Sequence, residues 1–392
     1  MGLKANLLFL ARQFPFVYPS AIISSCEQWI KKQEKQKGRY YAQRGPWYKN
    51  VFPEGFINNP PPQTCGSPNE KAFYNNRSYP TAKAGLFYLH NCYLFGHKGV
   101  ILSKRNEVFQ EFSHHFGIAT LKKFLQKQPF YLFTKNEKKI NGTGAVLVSP
   151  ESHNYYHWLS DVLPRIRLYE EVLDQVDHFC IASNVPQKFL DVLTEFGIPK
   201  ERICFVNEKE KLHFDHLYVS SLPGSEGRSP QWAVDYLRSK LIKVPADGLP
   251  AKNIYFKRGA NANRKILNED VIITDLAANG FEIIDPDELS LYEQVGLMQQ
   301  ARIVVGAHGA ALSNLVFCRE GAAVIELFSP DYFRTDCYYT LASILKLNYY
   351  YLTAYKPVDG KWGDSEVDGE MLKKCIDRVV GSTFDKFNQP AR

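Results

Sequence analysis

Five strand-length apolar segments recur between residues 253 and 353, and segments with helical patterning separate them. The intervening segments predict helices over 268–279, 289–300, 309–318 and 333–346. Strands that alternate with helices favour a parallel sheet with right-handed crossovers. We therefore predict a compact, Rossmann-like sheet whose five strands are NIYFKR (253–258), GFEIID (280–285), ARIVVG (301–306), AAVIEL (322–327) and LNYYYLT (347–353).

A similar alternation begins at residue 145, with strands AVLVS, HFCIAS, RICFV and LHFDHLYVSS. Its first helix, NYYHWLSDVLPRIRLYEEVL, carries Pro164 in its middle, where a proline interrupts helical hydrogen bonding. The predicted fold class is α/β, with two Rossmann-like domains facing a central cleft. The predicted divisions are an N-terminal extension with an antiparallel β patch (1–140), an N-terminal Rossmann-like domain (141–240), a C-terminal Rossmann-like domain (250–356) and a C-terminal helix (357–392).

Composition narrows the class of partner. The 392 residues are 45% hydrophobic, which is typical of a globular chain, and the net charge of +7 suits an anionic ligand. No basic cluster alternates with aromatic residues along one element, so we predict no nucleic-acid partner. The eight cysteines lack CxxC spacing, which indicates free thiols in a reducing compartment and no zinc site. We expect a cytoplasmic protein with peripheral contact at the inner face of the membrane.

Arginines follow the first strand of the C-terminal series. Arg258 and Arg264 lie in and after a Gly/Asn loop that opens a helix. Ligands of open parallel sheets bind at the carboxyl ends of the strands, and arginine holds phosphate oxygens with two hydrogen bonds. The pattern therefore predicts phosphate contact, and the alternative is two exposed loop arginines.

The third strand ends in a Gly-Ala-His-Gly turn. Gly306 and Gly309 permit close backbone approach, and His308 between them could donate to an anion or contact the reacting centre. The helix that follows, from Ala310 through Asn314, would direct its first N–H groups at the same anion. The turn lacks both GxGxxG and GK[ST], so it is neither a dinucleotide fingerprint nor a P-loop. The alternative is a structural histidine.

Glu326 stands near the end of the fourth strand, where a carboxylate can accept hydrogen bonds from ribose hydroxyls. The alternative is an ion pair with Arg334. Two arginines, a helix start and a carboxylate together predict a nucleoside diphosphate as part of the ligand.

The N-terminal series offers a different cluster. His157 and Asp161 are four residues apart and share one helix face. Asp161 could orient His157, or could itself be a general base for an acceptor hydroxyl. With His153 the spacing could also form a metal face. The structural alternative is a helix that begins after Asn154 with packed side chains.

Three segments together resemble glycosyltransferase family 61, the DUF563-type family that includes capsular polysaccharide biosynthesis proteins: NYYHWLSDVLPRI, IYFKRGANANRKILNED and LSLYEQVGLMQQARIVVGAHGAALSNLVFCREGAAVIEL. The resemblance covers roughly residues 145–355 and implies a GT-B fold with inverting transfer from a UDP-sugar. It implies that Arg258, Arg264 and the turn and helix from Gly306 to Asn314 hold the donor diphosphate. It also implies ribose binding by Glu326 and a base at His157 or Asp161. Glu293 and Gln294 would line the pocket or cap a neighbouring loop.

The resemblance further implies that the UDP-sugar is a co-substrate, that no cofactor is tightly bound and that no metal is required. The one DxD-like sequence, Asp285-Pro286-Asp287, is predicted to be a turn. The expected acceptor is an oligosaccharide or lipid-linked glycan in surface or capsular polysaccharide synthesis. Two other functions stay open, a non-catalytic protein that binds glycans or nucleotide-sugars and a sugar-nucleotide epimerase or hydrolase.

Overall fold

The structure is a computed structural model. It describes residues 21–37, 45–112, 137–224, 227–243, 250–258, 264–358 and 360–387. The chain divides into two compact units. The first unit comprises residues 1–55 and 82–225, and the second comprises 56–81 and 226–392.

The described strands, in chain order, are β1 (Ala21–Ile23), β2 (Trp47–Phe52), β3 (Gly55–Asn58), β4 (Gln63–Thr64), β5 (Ser78–Thr81), β6 (Ala84–Phe95), β7 (Val100–Ser103), β8 (Glu107–Phe109), β9 (Glu137–Val146), β10 (His178–Ala182), β11 (Ile203–Val206), β12 (Lys211–Ser220), β13 (Lys252–Phe256), β14 (Phe281–Ile284), β15 (Ala301–Ala307), β16 (Ala323–Phe328) and β17 (Asn348–Thr353).

The described α-helices are α1 (Cys26–Lys37), α2 (Glu70–Arg77), α3 (Tyr155–His157), α4 (Ile166–Tyr169), α5 (Gln187–Leu190), α6 (Gln231–Leu241), α7 (Glu269–Ala278), α8 (Leu291–Gln300), α9 (Tyr338–Ile344) and α10 (Gly369–Phe387).

The second unit is built on a parallel sheet with strand order β14-β13-β15-β16-β17-β4. Its central strands β15 and β16 are rich in the β-branched residues Val and Ile and are almost entirely buried, as expected for strands covered on both faces. Helices α7 and α10 pack on this sheet through apolar residues such as Ile272, Leu372 and Val379. The five predicted strands of the C-terminal series are confirmed, each within two residues of its predicted bounds.

A sixth strand of this sheet was not predicted. The two-residue strand β4 pairs in parallel with β17 through Gln63 and Thr64, which lie in a Pro-rich segment of the chain. The predicted helix over 309–318 is a 3₁₀ helix over Ala310–Phe317. Helix α8 begins at Leu291, two residues after its predicted start, where Ser290 and Glu293 cap the first turn reciprocally.

The first unit contains a mixed sheet with strand order β1-β8-β7-β6-β12-β9-β10-β11, and β2 also pairs with β6. Strands β12, β9, β10 and β11 are parallel, as the alternating pattern predicts. Strand β6 is antiparallel to β12 along nine residue pairs, from Lys211–Phe95 to Ser220–Leu86. The predicted antiparallel patch is therefore present, but it continues the parallel strands in one sheet and is no separate extension.

The region that the sequence analysis treated as one N-terminal extension contributes to both units. Strands β1, β2 and β6–β8 lie in the first unit, whereas β4, β5 and α2 lie in the second. The mixed sheet also means that the first unit is not a purely parallel Rossmann-like domain. The fold class is mixed α/β.

The helical segment after Asn154 changes its helix type several times. It runs as α3, a π segment (Trp158–Val162), a 3₁₀ turn (Leu163–Arg165) and α4. Pro164 supplies no N–H and therefore cannot continue a regular ladder, which confirms the predicted interruption. None of the eight cysteines, all of which are described, forms a disulfide. In the described residues we find no helix with the length and apolar character that crossing a bilayer requires.

Candidate functional site

The topology of the second unit creates a crevice between β13 and β15. Strand order 2-1-3-4-5 places the reversal of winding between the first and third strands, and ligands of doubly wound sheets bind outside the carboxyl ends at this point. Phe256 and Gly306 are register partners at these ends. Arg258 and His308 each lie two residues further along their strands and line the same pocket, together with Arg264.

Arg258 is held in position by its own main chain and by its neighbour. Its backbone N–H donates to Glu269 Oε1 (2.8 Å), which also accepts from the Tyr255 hydroxyl (2.8 Å). Its Nε donates to the carbonyl oxygen of Arg264 (2.9 Å). These contacts hold the backbone of Arg258 and the Nε side of its guanidinium, so that the outer N–H groups face the pocket.

Gly309 provides the space that this guanidinium occupies. A methyl group on Gly309 would lie 3.1 Å from Arg258 Cζ and closer still to Nη1, well inside van der Waals contact. The backbone of Gly309 is extended, with φ of 169°, so conformational freedom is not the reason for a glycine here. Close approach of the arginine is the reason, and it makes Gly309 part of the pocket through the absence of a side chain.

Arg264 stacks on an aromatic ring and has an unused donor. Its Cζ atom lies 4.1 Å from the centroid of the Tyr332 ring. Its Nε is buried and has no hydrogen-bond partner among the described residues. Gly363, with φ of +85°, closes over the side chain, and a Cβ there would lie 2.5 Å from Arg264 Cγ. A buried guanidinium donor without an acceptor indicates a place for an oxygen-rich ligand.

The electrostatics of the pocket favour an anion. Across the described segments, neither Arg258 nor Arg264 forms an ion pair with a carboxylate. Burial lowers the pKa of Arg258, and the neighbouring charge of Arg264 lowers it further. Two like charges held together in a partly buried pocket are stabilised when an anion binds between them. Phosphate oxygens match the forked geometry of guanidinium.

His308 is held by a buried carboxylate. Its Nδ1 lies 2.5 Å from Glu326 Oε1, and the other carboxylate oxygen accepts from the Tyr349 hydroxyl at 2.6 Å. The ring is packed against Phe328 and Tyr338. Its Nε2 has no hydrogen-bond partner among the described residues. A carboxylate on Nδ1 fixes the orientation of an imidazole and leaves the second nitrogen for a ligand.

The placement of Glu326 contradicts direct contact with ribose. The residue is fully buried, and both carboxylate oxygens are occupied by His308 and Tyr349. The alternative ion pair is also absent, because Arg334 pairs with Asp336 instead. A residue near the end of a parallel strand can point into the core or toward the crevice, and the sequence does not distinguish these. Glu326 positions His308.

Three further predicted contacts need revision or restriction. Gly306 is buried within the sheet, where a Cβ would come 3.2 Å from Leu312 Cδ2, so the glycine allows close packing of the 3₁₀ helix that follows. Asn314 is fully buried and donates to Gln294 Oε1 (2.6 Å). Ala310 is half-buried at the first turn of the 3₁₀ helix, where N–H groups lack helical acceptors, and it stays a candidate contact.

The hydrogen bonds of Glu293 and Gln294 decide between their two predicted roles, lining the pocket and capping a neighbouring loop. Glu293 forms the capping box of α8, and the Gln294 amide donates to the carbonyl oxygens of Pro286 (3.0 Å) and Leu289 (3.1 Å). Both residues therefore cap local structure, which was the second of the two predicted roles. The Asp285–Asp287 sequence is a turn, as predicted, because the Asp285 side chain accepts from the Asp287 N–H (3.0 Å).

In the first unit, His157 and Asp161 form the predicted i,i+4 pair. His157 Nδ1 lies 2.6 Å from Asp161 Oδ2, and Ser160 Oγ donates to Asp161 Oδ1 (3.0 Å). Both side chains are partly exposed, at 27% for His157 and 14% for Asp161. The pair lies where the helix changes from α to π geometry, an irregularity that is frequent at functional sites. The geometry fits an aspartate that orients a histidine.

Parts of the structural alternative also hold in this helix. The Asn154 side chain accepts from the Tyr156 N–H (2.9 Å), as an N-cap does, and Trp158 is fully buried. His153 Nε2 lies 3.7 Å from Glu151 Oε2. Within the described ranges, no three or more His, Cys, Asp or Glu side chains are grouped in a way that could hold a metal ion.

Sequence reasoning missed residues that shape the arginine pocket from distant segments. Tyr332 and Gly363 hold Arg264, and Trp362, which is 60% exposed, packs edge-on against Tyr332. The segment 360–366 reaches this place because Ser365 bridges to Ile266. No local pattern signals such a role, since the contact is made by a loop about 100 residues from the arginine.

Comparison with known proteins gives the family of this part of the chain. The family model described as Glycosyltransferase 61 matches residues 155–325, from the start of α3 to the middle of β16. Over this range the chain is similar to glycosyltransferase family 61. The matched range contains His157, Asp161, Arg258, Arg264 and His308, whereas Glu326 lies one residue beyond it.

The curated relatives are EGF domain-specific O-linked N-acetylglucosamine transferases. The chain is 35% identical to the rat protein over 99 residues, which are 24% of this chain and 18% of the rat protein. It is 29% identical to the Drosophila melanogaster protein over 89 residues, or 22% of this chain and 17% of that protein. The chain thus matches less than a fifth of the length of these relatives. Together with the family match, they support the prediction of a glycosyltransferase.

Proposed function

We propose that this protein is an inverting glycosyltransferase that moves a sugar from a UDP-sugar to an acceptor hydroxyl. The observation that carries the proposal is the pocket at the crevice of the second unit. There, Arg258 and Arg264 lack carboxylate partners among the described residues, and His308 faces the same space. Guanidinium and imidazole donors grouped in this way suit phosphate oxygens, and a diphosphate is the leaving group of a nucleotide-sugar.

The donor side of the reaction needs charge neutralisation. As the bond between the anomeric carbon and the phosphate oxygen breaks, UDP leaves with the electron pair and its negative charge grows. The guanidinium groups of Arg258 and Arg264 would stabilise this charge, and the N–H groups at the start of the Ala310 helix would add to it. A protonated His308 would keep Glu326 on Nδ1 and donate from Nε2 to a phosphate oxygen. We propose that no tightly bound cofactor or metal ion takes part.

The acceptor side needs a base. In the proposed reaction His157 takes the proton of the acceptor hydroxyl at Nε2, while the hydroxyl oxygen forms the new bond to the anomeric carbon. Asp161 accepts the Nδ1–H of His157 and stabilises the imidazolium that forms. One displacement of this kind inverts the configuration at the anomeric carbon. The proposal includes a GT-B arrangement, which the family match favours.

The family and its relatives narrow the donor and acceptor to test first. The names of the relatives make UDP-N-acetylglucosamine the first donor to test. The first acceptor class is a surface or capsular glycan, including lipid-linked forms, as the resemblance suggests. The second is a protein hydroxyl, which the EGF domain in the relatives' names favours.

The proposal is tested by thermal unfolding with a panel of UDP-, GDP-, dTDP- and CMP-sugars, with and without Mn²⁺. We expect stabilisation by UDP and UDP-sugars without metal, and its loss in Arg264→Ala. No stabilisation by any nucleotide would contradict the donor site.

Turnover distinguishes the remaining functions. We expect UDP release only when an acceptor is present, which a hydrolase or an epimerase would not show. His157→Gln and Asp161→Asn should retain the UDP-dependent stabilisation and lose about 10²–10⁴ in turnover. A non-catalytic binding protein would release no UDP with any acceptor. Lys252→Gln, which changes an exposed ion pair on β13, is a matched control and should leave both readouts unchanged.

A further inference from the structure

A second cavity lies beside the arginine pocket in the second unit. Its volume is about 390 Å³, within the range of small-molecule sites. It is bounded by the loop of residues 66–69 after β4, by the carboxyl ends of β16 and β17, and by the first turn of α10. It therefore lies at the same edge of the sheet as the arginines. No part of the reaction described above uses it.

The two spaces meet at one side chain. Leu327 lines both the arginine pocket and the second cavity. Ala307, Leu327 and Leu352 are register partners on β15, β16 and β17. Adjacent strands lie about 4.8 Å apart, so the floor extends roughly 10 Å from the third strand to the fifth. A ligand with phosphates at one end and a ring at the other can span both spaces.

The lining suits a flat ring with polar edges. Leu352, Ala354 and Met371 supply apolar surface. Ser67, Asn69 and Thr353 are exposed at its rim, and their side chains have no hydrogen-bond partners among the described residues. Hydroxyl and amide groups both donate and accept, as recognition of a nucleobase edge requires.

An aromatic ring and a carboxylate complete the cavity. Tyr355 is 61% exposed, and its hydroxyl donates to Asp368 Oδ2 at 3.3 Å. Asp368 Oδ1 accepts from the Met371 N–H at the start of α10 (3.0 Å). Asp368 is half-buried, so its oxygens can also accept from ribose hydroxyls. This carboxylate has the accessibility that Glu326 lacks, and the ring of Tyr355 offers a face on which a base can stack.

We propose that this cavity binds the base and the ribose of the donor nucleotide, with Asp368 accepting from the ribose hydroxyls. The inference rests on the proposed function, which places the diphosphate at Arg258 and Arg264. The nucleotide then lies along the carboxyl edge of the sheet, from β13 to β17 and the 66–69 loop. Nucleotide specificity is consequently determined by residues from the N-terminal part of the sequence as well as by the family domain.

The test compares UDP with inorganic pyrophosphate by titration calorimetry on the full chain. Thr353→Trp and Ser67→Trp each place a bulky ring in the cavity from an exposed rim position. We expect each to weaken UDP binding by about tenfold or more, because base contacts are lost. Pyrophosphate affinity should stay within about twofold, because the arginines are untouched. Thr274→Trp, at an exposed position of α7, is the control and should bind both ligands as the wild type does.

The outcomes separate the two proposals. If both cavity variants bind UDP and pyrophosphate as the wild type does, the cavity is not the nucleoside site and this inference is wrong, while the proposed function stands. If the wild type binds neither ligand, or Arg264→Ala binds both normally, the proposed function fails and the inference fails with it.

A second measurement needs no substitution. Photolabelling the wild type with 5-azido-UDP, whose reactive group is on the base, should modify residues within 66–69 or 353–371. Labelling confined to other segments would overturn the inference.

Discussion

Substitution of Gly309 by alanine tests the arginine pocket with a single methyl group. The new Cβ would lie 3.1 Å from Arg258 Cζ and closer to Nη1. Carbon and nitrogen at ordinary contact are about 3.5 Å apart, so the end of the guanidinium must move by more than about 1 Å. Its Nε is held by the Arg264 carbonyl oxygen, so the movement turns the outer N–H groups away from the pocket.

The expected loss is that of about one charge-assisted hydrogen bond to a phosphate. Such a bond contributes about 1.5–3 kcal/mol, which corresponds to roughly a 10–100-fold increase in the Kd for UDP. The fold should tolerate the change, because the displaced atoms are the flexible end of a side chain. Titration calorimetry with UDP measures the affinity, and thermal unfolding checks the fold.

The matched control is Gly296→Ala in α8, where a Cβ would meet nothing within 4 Å. Alanine in a helix interior stabilises by about 0.5–1 kcal/mol relative to glycine, so this variant should be slightly more stable and bind UDP normally. If Gly309→Ala also binds UDP as tightly as the wild type, Arg258 does not contact the diphosphate and the reasoning is refuted.

Three further predictions concern stability. Tyr349→Phe leaves one oxygen of buried Glu326 without its donor and should lower the free energy of unfolding by about 1–3 kcal/mol in chemical denaturation; an effect below about 0.5 kcal/mol would contradict this. Burial lowers the pKa of His90 below its ordinary value, so the unfolded chain binds the proton more readily and stability should fall as the pH drops below neutrality. His90→Gln should flatten that part of the pH profile, and an unchanged profile would show that His90 is not the cause. Arg165 is fully buried, and its Nε donates to Ser220 Oγ (2.9 Å). Arg165→Lys should lower the free energy of unfolding by about 2–4 kcal/mol, because one ammonium cannot replace the three N–H contacts of the guanidinium. A free energy of unfolding equal to that of the wild type would exclude such a role.

The sequence predicts the second unit well because its information is local. Strands such as β15 are continuous apolar runs bounded by turns, and parallel topology follows from the helices between them. The positions of Arg258 and His308 follow as well, since both stand just past strand ends. What the sequence cannot give is the direction of a side chain at such an end. Glu326 is an example: its side chain points into the core, although its position alone suggests the crevice.

Non-local pairing explains the other differences. Strand β4 has two residues and joins β17 from nearly 290 residues away, as the Thr64 Oγ1 bond to the Tyr351 carbonyl oxygen shows. A pairing so short has no periodicity to detect. Strand β6 is long and regular enough to be recognised, but its partner β12 could not be inferred from either sequence alone. The cavity that the 66–69 loop helps to form was unpredictable for the same reason.

The most direct test of the proposed donor site is a crystal structure of the protein with UDP. We expect the diphosphate within hydrogen-bond distance of the Arg258 and Arg264 guanidinium groups, at the crevice between β13 and β15, with His308 Nε2 facing a phosphate oxygen. UDP bound elsewhere, with both arginines free of phosphate contact, would show that this crevice is not the donor site.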